Sequence, residues 1–329
     1  MRLATWNIEW FNALFDDAGR VLDDEAPSAR YHVSRAQQLT GLRAVFRAMD
    51  ADGVLIVEGP DTNGRRSTVA ALEAFAAWAG IRACRAVHGY ASDSEQEIGF
   101  LYDPDRLSVQ HDPQASPAAP RFDRSFRYDL DADGVSEVIR FSKPPLELAV
   151  GWAGRAVRVI GVHAKSKTPH GRTSPAEFNR ISIENRRKQL AQCLWIRARA
   201  AEHLARGDSV IVMGDFNDGP GLDDYEKLFG HSGVEIVRGT GGPRLFDPHA
   251  EMALASRVGL TPTTARFWLA PQKRYFEALL DFIMVSPDLV PGAAWRIWHP
   301  FDDPEIGPDL RDALLSASDH FPVTVDFPM

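Results

Sequence analysis

Short apolar runs recur along the whole chain, and most of them break off at an acid, an amide or a histidine. "VLIV" runs into Glu58, "RVIGV" into His163, and "VIVMG" into Asp215 with Asn217 two residues on. Asn7 and Glu9 follow the first run, Asp281 sits inside "LLDFIMV", and Asp319 and His320 follow "SAS". Runs this short, flanked by turn-forming residues, read as buried strands rather than helices. The strand candidates are Arg2–Ile8, Val54–Val57, Ile98–Tyr102, Val138–Phe141, Leu146–Val150, Ala156–His163, Val210–Met213, Leu279–Val285 and Val323–Phe327. Between them lie helical patterns. Ser34–Met49 carries Leu39, Leu42, Val45 and Phe46 at helical spacing, Thr68–Ala79 is alanine-rich and stops at Gly80, and Asn179–Arg206 is closed by Gly207. Asp103–Asp123 and Gly239–Thr264, rich in Pro or Gly, read as loops. Strands that adjoin without an intervening helix imply two mixed sheets packed face to face with helices outside, an α/β (α+β) architecture.

Bulk composition narrows the class. At 329 residues the chain is long for an average domain but suits one α/β domain, 1–329. A hydrophobic share of 44% against 25% charged residues excludes global disorder. The only cysteines, Cys84 and Cys193, are far apart, which excludes a disulfide framework or a cysteine zinc site. The N-terminus "MRLATWNIEW" lacks a signal-peptide pattern and no run of about 18 apolar residues occurs, so no membrane span and a cytoplasmic location are expected. Nothing calls for more than a monomer. The net charge of −8 argues against a general polyanion-binding surface, yet Arg155 to Lys188 holds nine Lys or Arg against two Glu.

Strand ends at one edge of stacked sheets converge, so the polar residues at those ends are candidates for one cleft. Side chains two apart on a strand point the same way. Asn7 with Glu9, and Asp215 with Asn217, would each face that cleft while Ile8 and Phe216 turn to the core. Asp218 would face away and belong to the turn. Each residue alone has a plainer reading. Glu58 could begin a loop, Asp215–Gly219 is ordinary turn chemistry, His163 could be a structural histidine, and Ser318–Asp319–His320 could be a loop. Asp281 is harder to dismiss, because an unpaired Asp in an apolar strand is costly and needs a partner such as a histidine. Together these residues suit phosphoryl transfer assisted by a hard cation. Carboxylate and amide oxygens suit Mg²⁺ or Mn²⁺, and no dense His/Cys cluster points to zinc. A histidine or aspartate can orient or deprotonate water, and a close Asp281–His320 pair would favour the protonated imidazole.

"TWNIEW", "VEG", "GVHAKSK", "GDFND", "LLDFIMVS" and "SDHFPV" occur in that order between Thr5 and Val323. In this the chain resembles the endonuclease/exonuclease/phosphatase superfamily, with its deoxyribonuclease I-like fold. The resemblance implies a four-layer sandwich with the site at one edge of the paired sheets. It implies that Asn7, Glu58 and Asp319 hold the metal, with Glu9 as an additional ligand, and that His163 contacts the scissile phosphate. Asp215 and Asn217 would orient the nucleophilic water or stabilise the transition state, and Asp281 would pair with a His320 acting on phosphate or water. Two departures stand out. Val57 occupies the place where many members have Gln before the metal-binding Glu. Lys143 in "RFSKPPL" stands where many nucleases have Arg, which keeps the charge but loses bidentate geometry.

"HAKSK", "ENRRKQLAQCL", "FSKPPL" and "WRIWHP" resemble the bacterial nuclease branch. A nucleic acid substrate is therefore expected, with Lys143, Lys165, Lys167 and Arg172 meeting backbone phosphates. Arg180, Glu184 and Lys188 suit a solvated helical face, whereas Leu190, Leu194, Ala201 and Leu204 look like core. Arg266, Trp268 and Tyr275 could touch substrate, although packing is the simpler reading for the aromatics, as it is for Trp295 and Trp298. Two other functions stay open. One is a phosphatase or phosphodiesterase acting on a small phosphate ester or lipid headgroup, which the net charge and the missing arginine favour. The other is an idle interaction domain, which the intact set of site residues disfavours.

Overall fold

The protein is described by a computed structural model covering residues 1–92, 96–129, 136–167, 174–222, 226–255, 262–270 and 272–328. In chain order the first half comprises β1 (Arg2–Asn7), α1 (Arg35–Met49), β2 (Gly53–Gly59), α2 (Thr68–Ala79), β3 (Arg85–His88), β4 (Glu97–Tyr102), β5 (Ser108–His111), β6 (Phe126–Tyr128), β7 (Glu137–Ile139), β8 (Leu146–Trp152) and β9 (Arg155–His163). The second half comprises α3 (Pro175–Ala205), β10 (Ser209–Asp215), α4 (Glu226–Phe229), α5 (Gly233–Arg238), α6 (Pro248–Ala255), β11 (Ala265–Leu269), β12 (Arg274–Ala278), β13 (Asp281–Val285), β14 (Ala294–Ile297), α7 (Pro308–Ala317) and β15 (Val323–Asp326).

The strands form a six-stranded sheet, in order β14-β15-β1-β2-β4-β3, and a five-stranded sheet, β13-β10-β9-β8-β5. Two hairpins, β6-β7 and β11-β12, stand apart from them. Alternation along each strand decides which residues go where. Leu3, Leu55, Val57 and Phe100 of one sheet meet Leu148, Val159, Ile211, Met213 and Ile283 of the other in a shared inner core. The opposite faces are covered by helices. Ala4, Trp6, Val54 and Ile56 pack under α1, α2 and α7, while Val210, Val212, Phe282 and Met284 pack under α3 and α5. Helix, sheet, sheet and helix give the four layers expected.

Local chemistry sets the helix limits. Ser34 caps α1 by accepting from the Gln37 backbone N–H, and the Gln37 side chain accepts from Ser34 N at 2.9 Å. Gly80 ends α2 in the left-handed region, φ 63°. Within α3, Leu190 is fully buried as expected, but Leu194, Ala201 and Leu204 are only half-buried. The core positions are instead Ala191, Cys193, Trp195, Ile196 and Ala200. The two stretches read as loops also hold elements, β5 within Asp103–Asp123 and α6 within Gly239–Thr264. No helix among the described residues is long and apolar enough to cross a membrane.

Two glycines let the layers close near the functional end. A Cβ at Gly161 would lie 2.4 Å from Leu55 Cδ1 of the facing sheet. Gly214 has φ 138°, and a Cβ there would lie 2.0 Å from the Val162 carbonyl oxygen. Gly214→Ala therefore combines backbone strain with a clash against main chain that has little room to move. It should destabilise the protein by roughly 2–4 kcal/mol; an unchanged urea midpoint would show that β9 and β10 tolerate the extra carbon.

Candidate active site

Strand register builds the site. Asp215 at the end of β10 lies opposite His163 of the parallel β9 and opposite Asp281 of the antiparallel β13. The three side chains share the inner face, and all are buried. On the facing sheet, β1 ends at Asn7 with the same inward orientation, so Asn7 Nδ2 donates to Asp215 Oδ2 across the gap at 3.0 Å.

Glu58 reaches the cleft by a different device. Regular alternation from Leu55 and Val57, which face inward, would send Glu58 to the helix layer. The β2–β4 register instead shifts between Ile56 and Gly59, and Glu58 adopts φ 61°. Such a bulge re-aims a side chain. Glu58 Oε1 consequently lies 3.5 Å from Asn7 Nδ2 and 3.8 Å from His163 Nε2.

Asn217 is also left-handed, φ 49°, and folds back onto Asp215. Its backbone N–H donates to Asp215 Oδ1 at 2.7 Å, while its amide Nδ2 reaches Asp215 Oδ2 and the Ala164 carbonyl, each at 3.1 Å. Phe216 between them is fully buried, as expected. His320 Nδ1 meets Asp281 Oδ2 at 2.8 Å, the pairing expected of an acid in an apolar strand. Asp215, Asp281 and His320 each bring a ligand-capable atom within 4.8 Å of the others. Asn7 Oδ1 and Asp281 Oδ1 are buried and accept no hydrogen bond among the described residues.

Burial and mutual charge split the protonation states. Burial pushes Asp215 up to about 7, and Asp281 beside it pushes the same way. Burial likewise raises Glu58, against the pull of Lys143 and His320, and lifts Asp319 to about 6. Burial, then the charges of Lys143, His320 and Lys165, hold His163 well below the usual imidazole value, so it stays neutral. His320 goes the other way. Burial alone would lower it, but Asp281, followed by Asp215 and Asp319, raises it well above the usual value.

The remaining expected residues are placed as follows. Asp319 is half-buried beside His320, its carbonyl accepting from Arg266 N at 2.8 Å. Glu9 lies beyond the end of β1, and its carboxylate is ion-paired with Arg30. Lys143 donates to Gln96 and lies 3.3 Å from His163 Nδ1, so it braces the histidine from behind. Lys165 is half-buried, and burial together with Lys188 lowers its pKa. Lys167 reaches Asp218 Oδ1 at 2.9 Å, and Arg172 lies outside the described residues. Asp218 was expected to belong to the turn alone; it is fully buried, also ion-paired with Arg186 at 2.5 Å and accepting from Gly233 N at 2.6 Å. Trp298 is buried and Trp295 partly so, as packing residues should be, whereas Trp268 and Tyr275 are about half exposed.

A family model described as "Endonuclease/Exonuclease/phosphatase family" matches residues 4–320. The chain belongs to the endonuclease/exonuclease/phosphatase family. No curated protein matches the sequence. Among solved structures, truncated Caenorhabditis elegans TDP2 is similar at 14% identity and TM-score 0.53, covering 100% of this chain and 97% of that one. The 3′ phosphatase NExo from Neisseria, bound to a product DNA hairpin, is similar at 16% identity and TM-score 0.53, both chains being covered in full at 100%. An AP endonuclease from Archaeoglobus fulgidus is similar at 12% identity and TM-score 0.52, again with 100% of both chains covered. These likenesses support the deoxyribonuclease I-like fold. Membership makes the chain a phosphoric ester hydrolase, and divalent-metal dependence comes with the family; the acidic cleft where Asn7 and Glu58 meet Asp215 and Asp281, with Asp319 beside it, is the candidate region for that ion.

Several supports of this family site were not anticipated. Gln96 at the head of β4 donates to Glu58 Oε2 at 2.6 Å while accepting from Lys143, an amide contact on the acid that Val57 cannot make. Gln189 of α3 donates to the carbonyls of Lys165, Phe216 and Asn217 at 2.9–3.2 Å, pinning two site loops to one helix. Gln192 accepts from Lys165 N at 2.8 Å. Thr264 Oγ1 accepts from Leu280 N and Asp281 N, each at 3.0 Å. Gln189 and Gln192 stand three apart on one helix, a spacing the sequence carries and that puts both amides on the same face.

Two outcomes test this geometry. Asp281→Asn keeps shape but removes the charge that holds His320 protonated, so kcat should fall about 100-fold or more while stability changes by about 1 kcal/mol or less. A large loss of melting temperature with kcat intact would make Asp281 structural. The second concerns pH. Without metal the folded cluster binds protons more tightly than the unfolded chain, because Asp215 and His320 are both raised. Their contribution is therefore present at low pH and lost as pH rises. In EDTA, the Asp215 contribution should fall away between about pH 4, the ordinary aspartate value, and about pH 7, so Asp215→Asn should flatten the decline over that window; a wild-type melting temperature that falls no more steeply there than that of Asp215→Asn would refute the charge assignment.

Proposed function

We propose that the protein is a divalent-metal-dependent nuclease that hydrolyses phosphodiesters of DNA or RNA. The observation that carries the reading is the convergence of His163, Asp215, the Asp281–His320 pair and Asn7 at one edge of the two sheets.

Asn7, Glu58 and Asp319 would hold the cation, with Glu9 kept aside by Arg30. Two observations support the fit: Asn7 Oδ1 is buried without a partner, and every donor is a hard oxygen of the kind Mg²⁺ or Mn²⁺ takes. When bound, such an ion offsets charge on a phosphate oxygen and the leaving oxygen. The side chains supply the other steps. Lys143 as an ammonium can only donate, so His163 accepts at Nδ1 and presents Nε2–H toward the cleft, where it can donate to a phosphate oxygen. Asn217 holds Asp215 so that the ionised carboxylate can orient water and take its proton. His320, kept cationic by Asp281, faces the negative charge that develops at phosphorus. Lys165 is the half-buried cation beside this cluster and would meet the phosphate backbone.

The test is a panel of single-stranded DNA, duplex DNA, RNA and an inositol phosphate, with Mg²⁺ and with Mn²⁺, using Asp215→Ala as the blank. Degradation of a polymer that EDTA stops and Asp215→Ala lacks is the expected result. Turnover of the inositol phosphate alone would overturn the reading.

A further inference from the structure

The β11-β12 hairpin is tied to the catalytic residues at its base. Ala265 forms an isolated bridge with His320, Arg266 N donates to Asp319 O, and Thr264 accepts from Asp281 N. Alternation gives the hairpin two unlike faces. One face carries Phe267, whose ring lies edge-on to His320 at 5.5 Å and packs on Ala265, Ala278 and Leu280. The other carries Arg266, Trp268, Tyr275 and Glu277, since Arg266 pairs with Glu277 and Trp268 with Tyr275 across the strands.

That second face is an aromatic surface largely open to solvent, with Phe301 as its neighbour across Arg266. Trp268 is 52% exposed and Tyr275 51%, with ring centroids 5.0 Å apart. The Arg266 guanidinium lies 3.7 Å over the Tyr275 ring and 4.8 Å from that of Phe301, itself 48% exposed. A cross-strand aromatic pair steadies a hairpin, but steadying does not require this much ring to face water. Trp268 stands three residues above Ala265, about 10 Å along the strand from the His320 register.

Charge gives a second reason to look here. The electrostatic term ordinarily dominates non-specific nucleic acid binding. In this chain Lys143 is engaged with Gln96 and His163, Lys167 and Arg186 with Asp218, and the net charge is −8. Beyond the phosphate contact given to Lys165, a polymer held on this surface would gain from a contact that does not depend on phosphate. Base stacking on aromatic rings provides one and tolerates any sequence, because every base has a π-face.

We infer that Trp268 and Tyr275, with Arg266 stacked beside them, form a platform for an unpaired nucleobase, so that the enzyme acts on single-stranded or splayed nucleic acid next to the scissile phosphate. This rests on the nuclease reading and deepens it by naming the substrate class. A base in a closed duplex is already stacked and offers the platform only an edge.

The test uses the full chain with Mn²⁺ and two labelled oligonucleotides: an ordinary single strand, and the same strand with base-less residues flanking the cleaved bond. Wild type should show a KM roughly 10-fold or more lower on the base-bearing strand. Trp268→Ala and Tyr275→Ala should remove most of that advantage, and Trp268→Phe should keep much of it, because a smaller ring still stacks. Equal KM for the two strands in wild type overturns the platform whatever the variants do. Equal losses on both strands in Trp268→Ala also overturn it, since the aromatic pair would then only hold the hairpin. A wild type that cleaves neither strand refutes the nuclease reading and this inference with it, an outcome distinct from cleavage without base preference.

Discussion

One buried carboxylate organises this molecule. Asp215 is sealed between two sheets with a second acid, Asp281, in register beside it. Such a group is costly unless donors surround it. Three N–H groups answer that need: the Asn217 backbone, the Asn217 amide and the Asn7 amide from the facing sheet. His320, paired with Asp281, supplies the positive charge. Satisfying Asp215 requires the ends of β1 and β10 to meet, the chain after β10 to turn back sharply, and β9 to lie close alongside. Gly214 lets β9 lie close against β10, and Gly161 lets the facing sheet approach β9. The same contacts that stabilise the acid therefore assemble the row of candidate site residues.

Much of this was legible because a short apolar run marks a strand buried on both faces. Val210–Met213 is apolar at every position, Val210 and Val212 toward the helices and Ile211 and Met213 inward, and Asp215 follows Met213 in phase; His163 and Asp281 obey the same period of two. Helices with explicit stops, such as α2 before Gly80, were equally plain. Hidden elements were those without an apolar run. The edge strands β3, β5 and β14 are only half-buried, and their mixed composition resembles loop. Glu58 was identifiable as an acid at a strand end, but nothing in "VLIVEG" discloses the left-handed turn that aims it.

Polar burial was the larger blind spot. Helix α3 carries Arg186, Gln189, Gln192 and Arg199 into the interior, where their partners are carbonyls and acids distant in sequence. Periodicity weighs apolar residues and assigns such side chains to solvent, so a helix that reads as a charged surface in part serves as the brace behind two catalytic loops. In the basic cluster following His163, Lys167 meets Asp218, a partner distant in sequence.

The bulge at Glu58 makes the phase of the backbone itself a functional quantity. Up to Ile56, β2 keeps one phase, feeding apolar rows alternately to the inner core and to the helix layer. From Glu58 onward the phase is shifted, and the acid that would have faced α1 faces the opposite sheet instead. Straightened into regular alternation with its residue count unchanged, β2 would keep its apolar rows and carry the carboxylate to the helix side of the sheet. Chains of this fold can thus lose a site by a change of backbone phase alone, with every site residue still present in the sequence.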